Sequence, residues 1–137
     1  MLEEDCKSGL RLDYLYFSEI NCSRQQLIKK AKLNVNYDVD RKINGNEAIV
    51  KIVTNIKSHN DEISLSLTTI GKFTLIDLEN VYDDSIKKEM LNLNTVAIIM
   101  PYIRSQVSII TTQPDLTPIL LQPVDVTLLM AQQAENM

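Results

Sequence analysis

Few residues of this chain are of types that could do chemistry, and their spacing is unfavourable for it. Asp38 with Asp40, and Asp83 with Asp84, are paired carboxylates of the kind that can divide acid and base roles. The first pair falls on one phase of an alternating segment and the second at a helix start, so solvation and capping are the expected roles. Cys6 and Cys22 would each need an activating base to act as nucleophiles, and the lone His59 sits in an expected turn without a companion. The cysteines are too far apart for a Cys-x-x-Cys pair and one histidine completes no ligand set, so neither metal nor other cofactor is expected. Gly9, Gly45 and Gly71 form no phosphate-cradling loop, and no Gly-Lys-Ser or Gly-Lys-Thr occurs, which argues against nucleotide hydrolysis. Tyr102 and Arg104 read as groups tying a helix to a sheet or to another subunit. The chain is not expected to be an enzyme.

Without chemistry to position, the elements must present surface. A length of 137 residues fits a single domain spanning 1–137. Trp is absent and the apolar residues are mostly Ile, Leu and Val, so the expected core is aliphatic and rich in strand formers. A net charge of −4 opposes binding to nucleic acid or to anionic membranes. Met1 to Asp13 carries acidic residues where a signal peptide would carry lysines, so neither secretion nor membrane insertion is expected, and a cytoplasmic location with reduced thiols follows.

Alternation over residues 10–20 gives a first strand with partial cover on both faces, and the polar stretch Asn21 to Lys32 reads as a loop or helical turn. Leu33, Val35, Tyr37 and Val39 then alternate with Asn34, Asn36, Asp38 and Asp40, a half-solvated second strand. Asn44-Gly45-Asn46 supplies a hairpin turn into a third strand from Ala48 to Lys57. After a turn at Ser58 to Asp61 a long fourth strand begins at Ile63, with a bulge expected near Gly71. Asp83-Asp84-Ser85 can cap a short helix from Ile86 to Leu91. Four strands followed by helices make an α+β domain with a four-stranded antiparallel meander.

Between Asn94 and Thr112, Val96, Ile99, Met100, Ile103, Val107 and Ile110 form one apolar stripe, with Ala97, Ser105, Ser108 and Thr112 opposite. This helix is weak alone: Pro101 removes an amide donor, and Val96, Ile98, Ile99, Ile103, Val107 and Ile109 are β-branched. It needs packing on both sides, and its small-residue face, with Ala97, Pro101, Arg104, Ser105 and Ser108, is the candidate oligomer interface. Gln113 to Gln122 is a loop by its prolines, yet it carries Leu116, Ile119, Leu120 and Leu121, which must fold onto the body or bind something. Pro123 is expected to open a last helix with Asp125 in its first turn. Leu33, Val35 and Tyr37 have two readings, core residues or the floor of a peptide site.

The run Ile99-Met100-Pro101-Tyr102-Ile103-Arg104, followed through Pro114 and Pro118 by Leu120-Leu121-Gln122-Pro123-Val124, resembles the C-terminal signature of the SecB family of export chaperones. That signature is a Pro-Tyr-x-Arg element in a long helix, a proline-punctuated crossover loop, and Pro-Val leading into a short helix. The likeness covers most of the chain from about Leu33. It implies a four-stranded antiparallel sheet followed by a long and a short helix, assembling as a dimer of dimers, a homotetramer. It implies an ATP-independent molecular chaperone that binds unfolded polypeptides, notably preproteins for Sec-dependent export delivered to SecA. The alternatives are a dedicated chaperone of an antitoxin in a toxin-antitoxin-chaperone system, or a non-chaperone assembly protein reusing the fold. Leu33, Val35 and Tyr37 match the family's second strand, Leu116, Ile119, Leu120 and Leu121 its crossover loop, and Val126, Leu129 and Met130 its short helix, regions that line a peptide groove in the family. Several features depart from the pattern. The zinc-binding tail used for SecA docking has no counterpart up to Met137, Ser64 and Ser66 stand where an acidic residue is usual, and Val126 stands where an aromatic is usual.

Overall fold

The computed structural model describes residues 8–25, 32–58 and 62–135, and therefore excludes Cys6, His59 and most of the expected turn at 58–61. Four strands, β1 (Ser8–Arg24), β2 (Leu33–Asn44), β3 (Glu47–Ser58) and β4 (Ile63–Asp77), form one antiparallel sheet. β2 and β3 pair without interruption from Leu33 opposite Ser58 to Asn44 opposite Glu47. The hairpin closes at Gly45, whose φ of 61° lies in the left-handed region that glycine enters without steric cost.

The spatial order is β1-β4-β3-β2, which corrects the expected meander. Consecutive strands pair from β2 to β3 to β4, but β1 pairs with β4, leaving β2 at the opposite edge. Short-range alternation identifies strands and says little about which neighbour a strand selects across a longer connection.

The expected bulge near Gly71 is also corrected. Gly71 pairs regularly with both Val50 and Leu15, whereas the register shifts fall on β1, between Leu12 and Tyr14 and between Phe17 and Glu19. β4 is bonded on both sides, so an extra residue there would break two ladders; an edge strand absorbs it by breaking one. The two shifts also account for the apparent two-faced pattern of β1. Leu10, Leu12, Leu15, Phe17 and Ile20 change from even to odd numbers and back, yet they pair with Leu75, Phe73, Gly71, Thr69 and Leu67, whose side chains share one face of β4.

That inner face carries α2 (Thr95–Thr111). Val39, Val50, Ile52, Ile56, Leu65, Leu67 and Phe73 from the sheet close on Val96, Ile99, Met100, Ile103 and Val107 from the helix. Each such burial contributes about 1.5–3 kcal/mol, which offsets the poor intrinsic propensity of the β-branched helix. Gly71 lets the helix settle close, because a Cβ added there would lie 3.0 Å from Ile99 Cδ1. Pro101 sits on the exposed side of α2.

Ahead of α2 comes α1 (Asp84–Glu89), capped by Asp83, whose Oδ1 accepts the Ile86 N–H at 2.8 Å. A π-turn, Met90–Asn94, joins the two into a continuous run. By length and composition alone this run, Asp84–Thr111, is long enough to cross a membrane, but its apolar stripe lies against the sheet. The last helix, α3, spans Val126–Glu135. It starts three residues after Pro123 because Asp125 takes the capping role, accepting the Leu128 N–H on Oδ1 at 3.1 Å.

Candidate functional site

β2 is an edge strand and α3 lies beside that edge. Between them runs a cleft. One part, of about 260 Å³, is lined by Val35, Asn36 and Tyr37 from β2 and by Val124, Asp125, Leu128, Leu129 and Gln132. Its continuation, of about 270 Å³, reaches Asp38 and Gln133. Val35 and Leu128 are the exposed apolar members, at 40% and 56%, while Tyr37, Val124 and Leu129 are half-buried and rest on the core. Leu33, Val35 and Tyr37 thus unite both readings of this strand: they face the helices, and the edge leaves part of each uncovered.

Three polar contacts hold α3 in place. The Val39 N–H donates to Gln133 Oε1 at 3.2 Å, and Gln133 Nε2 donates to the Val39 carbonyl at 2.6 Å. One side-chain amide therefore makes the pair of bonds that a neighbouring strand would make. Gln133 Nε2 also lies 3.5 Å from Asp38 Oδ1. Nearby, Arg41 Nη1 donates to the Asn92 carbonyl in the π-turn at 2.8 Å and lies 3.6 Å from Met130 Sδ, joining β2, the π-turn and α3. Burial draws the Arg41 pKa below its ordinary value, with Asp40 acting in the opposite direction. Burial raises the pKa of Tyr37, partly countered by the positive charge of Arg104. Tyr37 is thus kept neutral, an amphipathic contact with no capacity to act as a base near neutral pH.

The crossover loop is tied down at two points, Leu116 and Ile119. Leu116 is half-buried in a tight turn closed by its N–H to the Gln113 carbonyl at 3.1 Å, and the Ile119 N–H donates to Thr111 Oγ1 at 2.7 Å. Ile119 and Leu121 pack toward the core, whereas Leu120 is 71% exposed. Leu120 and Leu121, with Pro101, Arg104, Ser105, Ser108 and Ile109, line a concavity of about 340 Å³ on the outer flank of α2.

The structure thus groups the expected residues differently from the sequence. Val35, Tyr37 and Leu129 line the β2–α3 cleft, Met130 meets Arg41 of β2, and Leu33 and Val126 pack against the core. Leu120 and Leu121 join four of the five candidate interface residues, and Ala97 lies exposed on the same helix outside that concavity. Asp83 is occupied as a cap, Asp38 and Asp40 are exposed, and no group of three or more potential metal ligands occurs among the described residues. Gln132, Gln133 and Leu128 are not among the residues the sequence singled out. Their signal was spacing: Gln132 and Gln133 follow Leu129 by three and four residues, the intervals that share a helix face.

The model of the family described as "Preprotein translocase subunit SecB" matches residues 17–137. An uncharacterized protein of Methanocaldococcus jannaschii is 32% identical over 116 residues, covering 78% of this chain and 71% of the relative. Among solved structures, a SecB-like chaperone of Mycobacterium tuberculosis, in complex with a ChAD peptide from an antitoxin, superposes with a TM-score of 0.66. That likeness covers 85% of this chain and 88% of the other at 13% identity, a likeness of fold. A sheet of four antiparallel strands carrying a long and a short helix, with the family match running through nearly all of it, places this chain in the SecB family.

Proposed function

We propose that this protein is an ATP-independent chaperone that binds unfolded or non-native polypeptides along the cleft between β2 and α3. The observation that carries the reading is that cleft itself, where Val35, Tyr37, Val124, Leu128 and Leu129 present apolar surface beside a sheet edge in a chain of the SecB family. Apolar area removed from water is worth about 25 cal/mol per Å². Several such clefts on one assembly would hold a long chain by avidity. The reading includes a cytoplasmic homotetramer, built as a dimer of dimers through the outer flank of α2. Its clients are preproteins for Sec-dependent export, with SecA as a further partner.

A second reading, a dedicated antitoxin chaperone, draws support from the structural neighbour, which was solved with an antitoxin peptide. One experiment separates the readings. In native mass spectrometry without nucleotide, the full chain is mixed with a chemically unfolded preprotein or with a disordered antitoxin segment. A general chaperone binds both as a tetramer; a dedicated one retains the antitoxin segment and releases the preprotein. Failure to bind either, together with failure to slow aggregation of an unfolded protein, overturns the proposal.

A further inference from the structure

We infer that the client backbone adds to the outward edge of β2 as an extra strand, and that the Gln133 carboxamide holds that edge closed until one does. The inference rests on the chaperone reading above and specifies how that site takes its ligand. In a strand the N–H and C=O of one residue point to the same side, and the side alternates along the chain. Both groups of Val39 point away from β3, because both are bonded by Gln133. The N–H and C=O of Tyr37, Val35 and Leu33, two, four and six residues earlier, therefore point to the same outward side. Val35 and Tyr37 also line the cleft beside α3, and Leu33 packs toward the core from the same face of the strand. One row of residues thus offers backbone bonding and apolar contact together, the combination that recognises an extended segment with apolar residues at alternate positions.

Gln133 is the sign that the edge is made to be bonded. Among the described residues it is the group that bonds the outward side of β2, and it does so with a donor and an acceptor at once, as a peptide unit does. A client strand of about five residues can pair over Leu33 to Tyr37 and leave Val39 to Gln133; a longer one must take Val39 from Gln133. Client length and the docking of α3 then compete for the same two bonds.

The test uses the full chain and a synthetic peptide of about ten residues alternating leucine with serine. Binding is followed by fluorescence anisotropy, with versions N-methylated on one or the other set of alternate amides. Methylation of the set facing β2 is expected to weaken binding about fivefold per methyl, and methylation of the other set to have little effect. Amide exchange at Val35, Tyr37 and Val39 should slow when the unmethylated peptide binds. Gln133→Ala should tighten the peptide several-fold, and Gln133→Glu, which keeps an acceptor but loses the donor, should tighten it less. If the peptide binds with equal tolerance of both methylation sets and no added protection at Val35 and Tyr37, strand addition is wrong although the chaperone reading stands. If strand addition holds but Gln133→Ala weakens binding, Gln133 is a client contact and the competition is wrong. If the peptide and unfolded proteins all fail to bind, the chaperone reading itself has failed.

Discussion

Helix α2 lies on the sheet through Val96, Ile99, Ile103 and Val107, all fully buried, whereas α3 meets β2 through half-buried Leu129 and Met130 and one carboxamide. The first contact is dry and continuous. The second is bordered by a cleft and fastened by hydrogen bonds whose net worth is about 1 kcal/mol each. A helix held by a close-packed core moves only if the core opens, but a helix held like α3 can leave while the sheet stays intact. The difference teaches which part of the molecule is platform and which part is wall.

Breaking the platform should cost most. Ile103→Ala removes a fully buried side chain from the middle of the α2–sheet contact and should lower stability by about 3 kcal/mol in urea unfolding. Gly71→Ala should cost about 1–3 kcal/mol, since the new methyl meets Ile99 Cδ1 at 3.0 Å and the helix must shift. Thr54→Val tests the same interface with the opposite sign. The Thr54 hydroxyl is buried with no partner among the described residues, so its replacement by a methyl of similar size should raise stability by about 1 kcal/mol. On the wall, Gln133→Ala should leave global unfolding within about 0.5 kcal/mol of the parent while speeding amide exchange throughout α3. Equal effects on α2 and α3 would show that the two helices unfold together and erase the distinction.

The smallest effect is expected at Asp13, far from both contacts on the bulged strand. Burial opposes ionisation of this carboxyl. Hydrogen bonds from Thr74 at 2.6 Å and from Arg11 at 2.7 Å, with the charges of Arg11 and Lys72, outweigh it and hold the group below its ordinary value. A depressed folded-state value stabilises the protein above the unfolded value of 3.8 and loses that contribution as pH falls through the folded value. Asp13→Asn should therefore cost a fraction of about 1 kcal/mol at pH 7, as exposed ion pairs do. In paired thermal melts the gap should begin to shrink as pH falls below 3.8 and vanish once pH is below the folded value.

The platform was legible in the sequence and the wall was only partly so. Val96, Ile99, Met100, Ile103 and Val107 recur at helical intervals, and all are buried as that spacing demands. Leu33, Val35 and Tyr37 alternate so cleanly that their shared face could be read at once. What the pattern could not carry was the neighbour of β1, since hydrophobic alternation is the same whether β2 or β4 lies alongside. The start of α3 was misplaced because Pro123 and Asp125 both signal a helix opening, and the hydrogen bond to Leu128 decides between them. Gln133 was missed for a deeper reason: a glutamine near a helix end looks like solvated surface until the strand edge it meets is known.

The paired shifts along β1 have a consequence for how this chain can vary in length. Leu12 and Tyr14 pair with the consecutive residues Phe73 and Lys72, and Phe17 and Glu19 with the consecutive Thr69 and Thr68, so Asp13 and Ser18 are each one residue more than the ladder needs. Losing either would remove one shift and leave every inward side chain still inward. A one-residue deletion in the unbroken pairing of β2 with β3 would instead turn all that follows to the wrong face. The edge of the sheet farthest from the cleft is thus where the fold can shed a codon and keep its core.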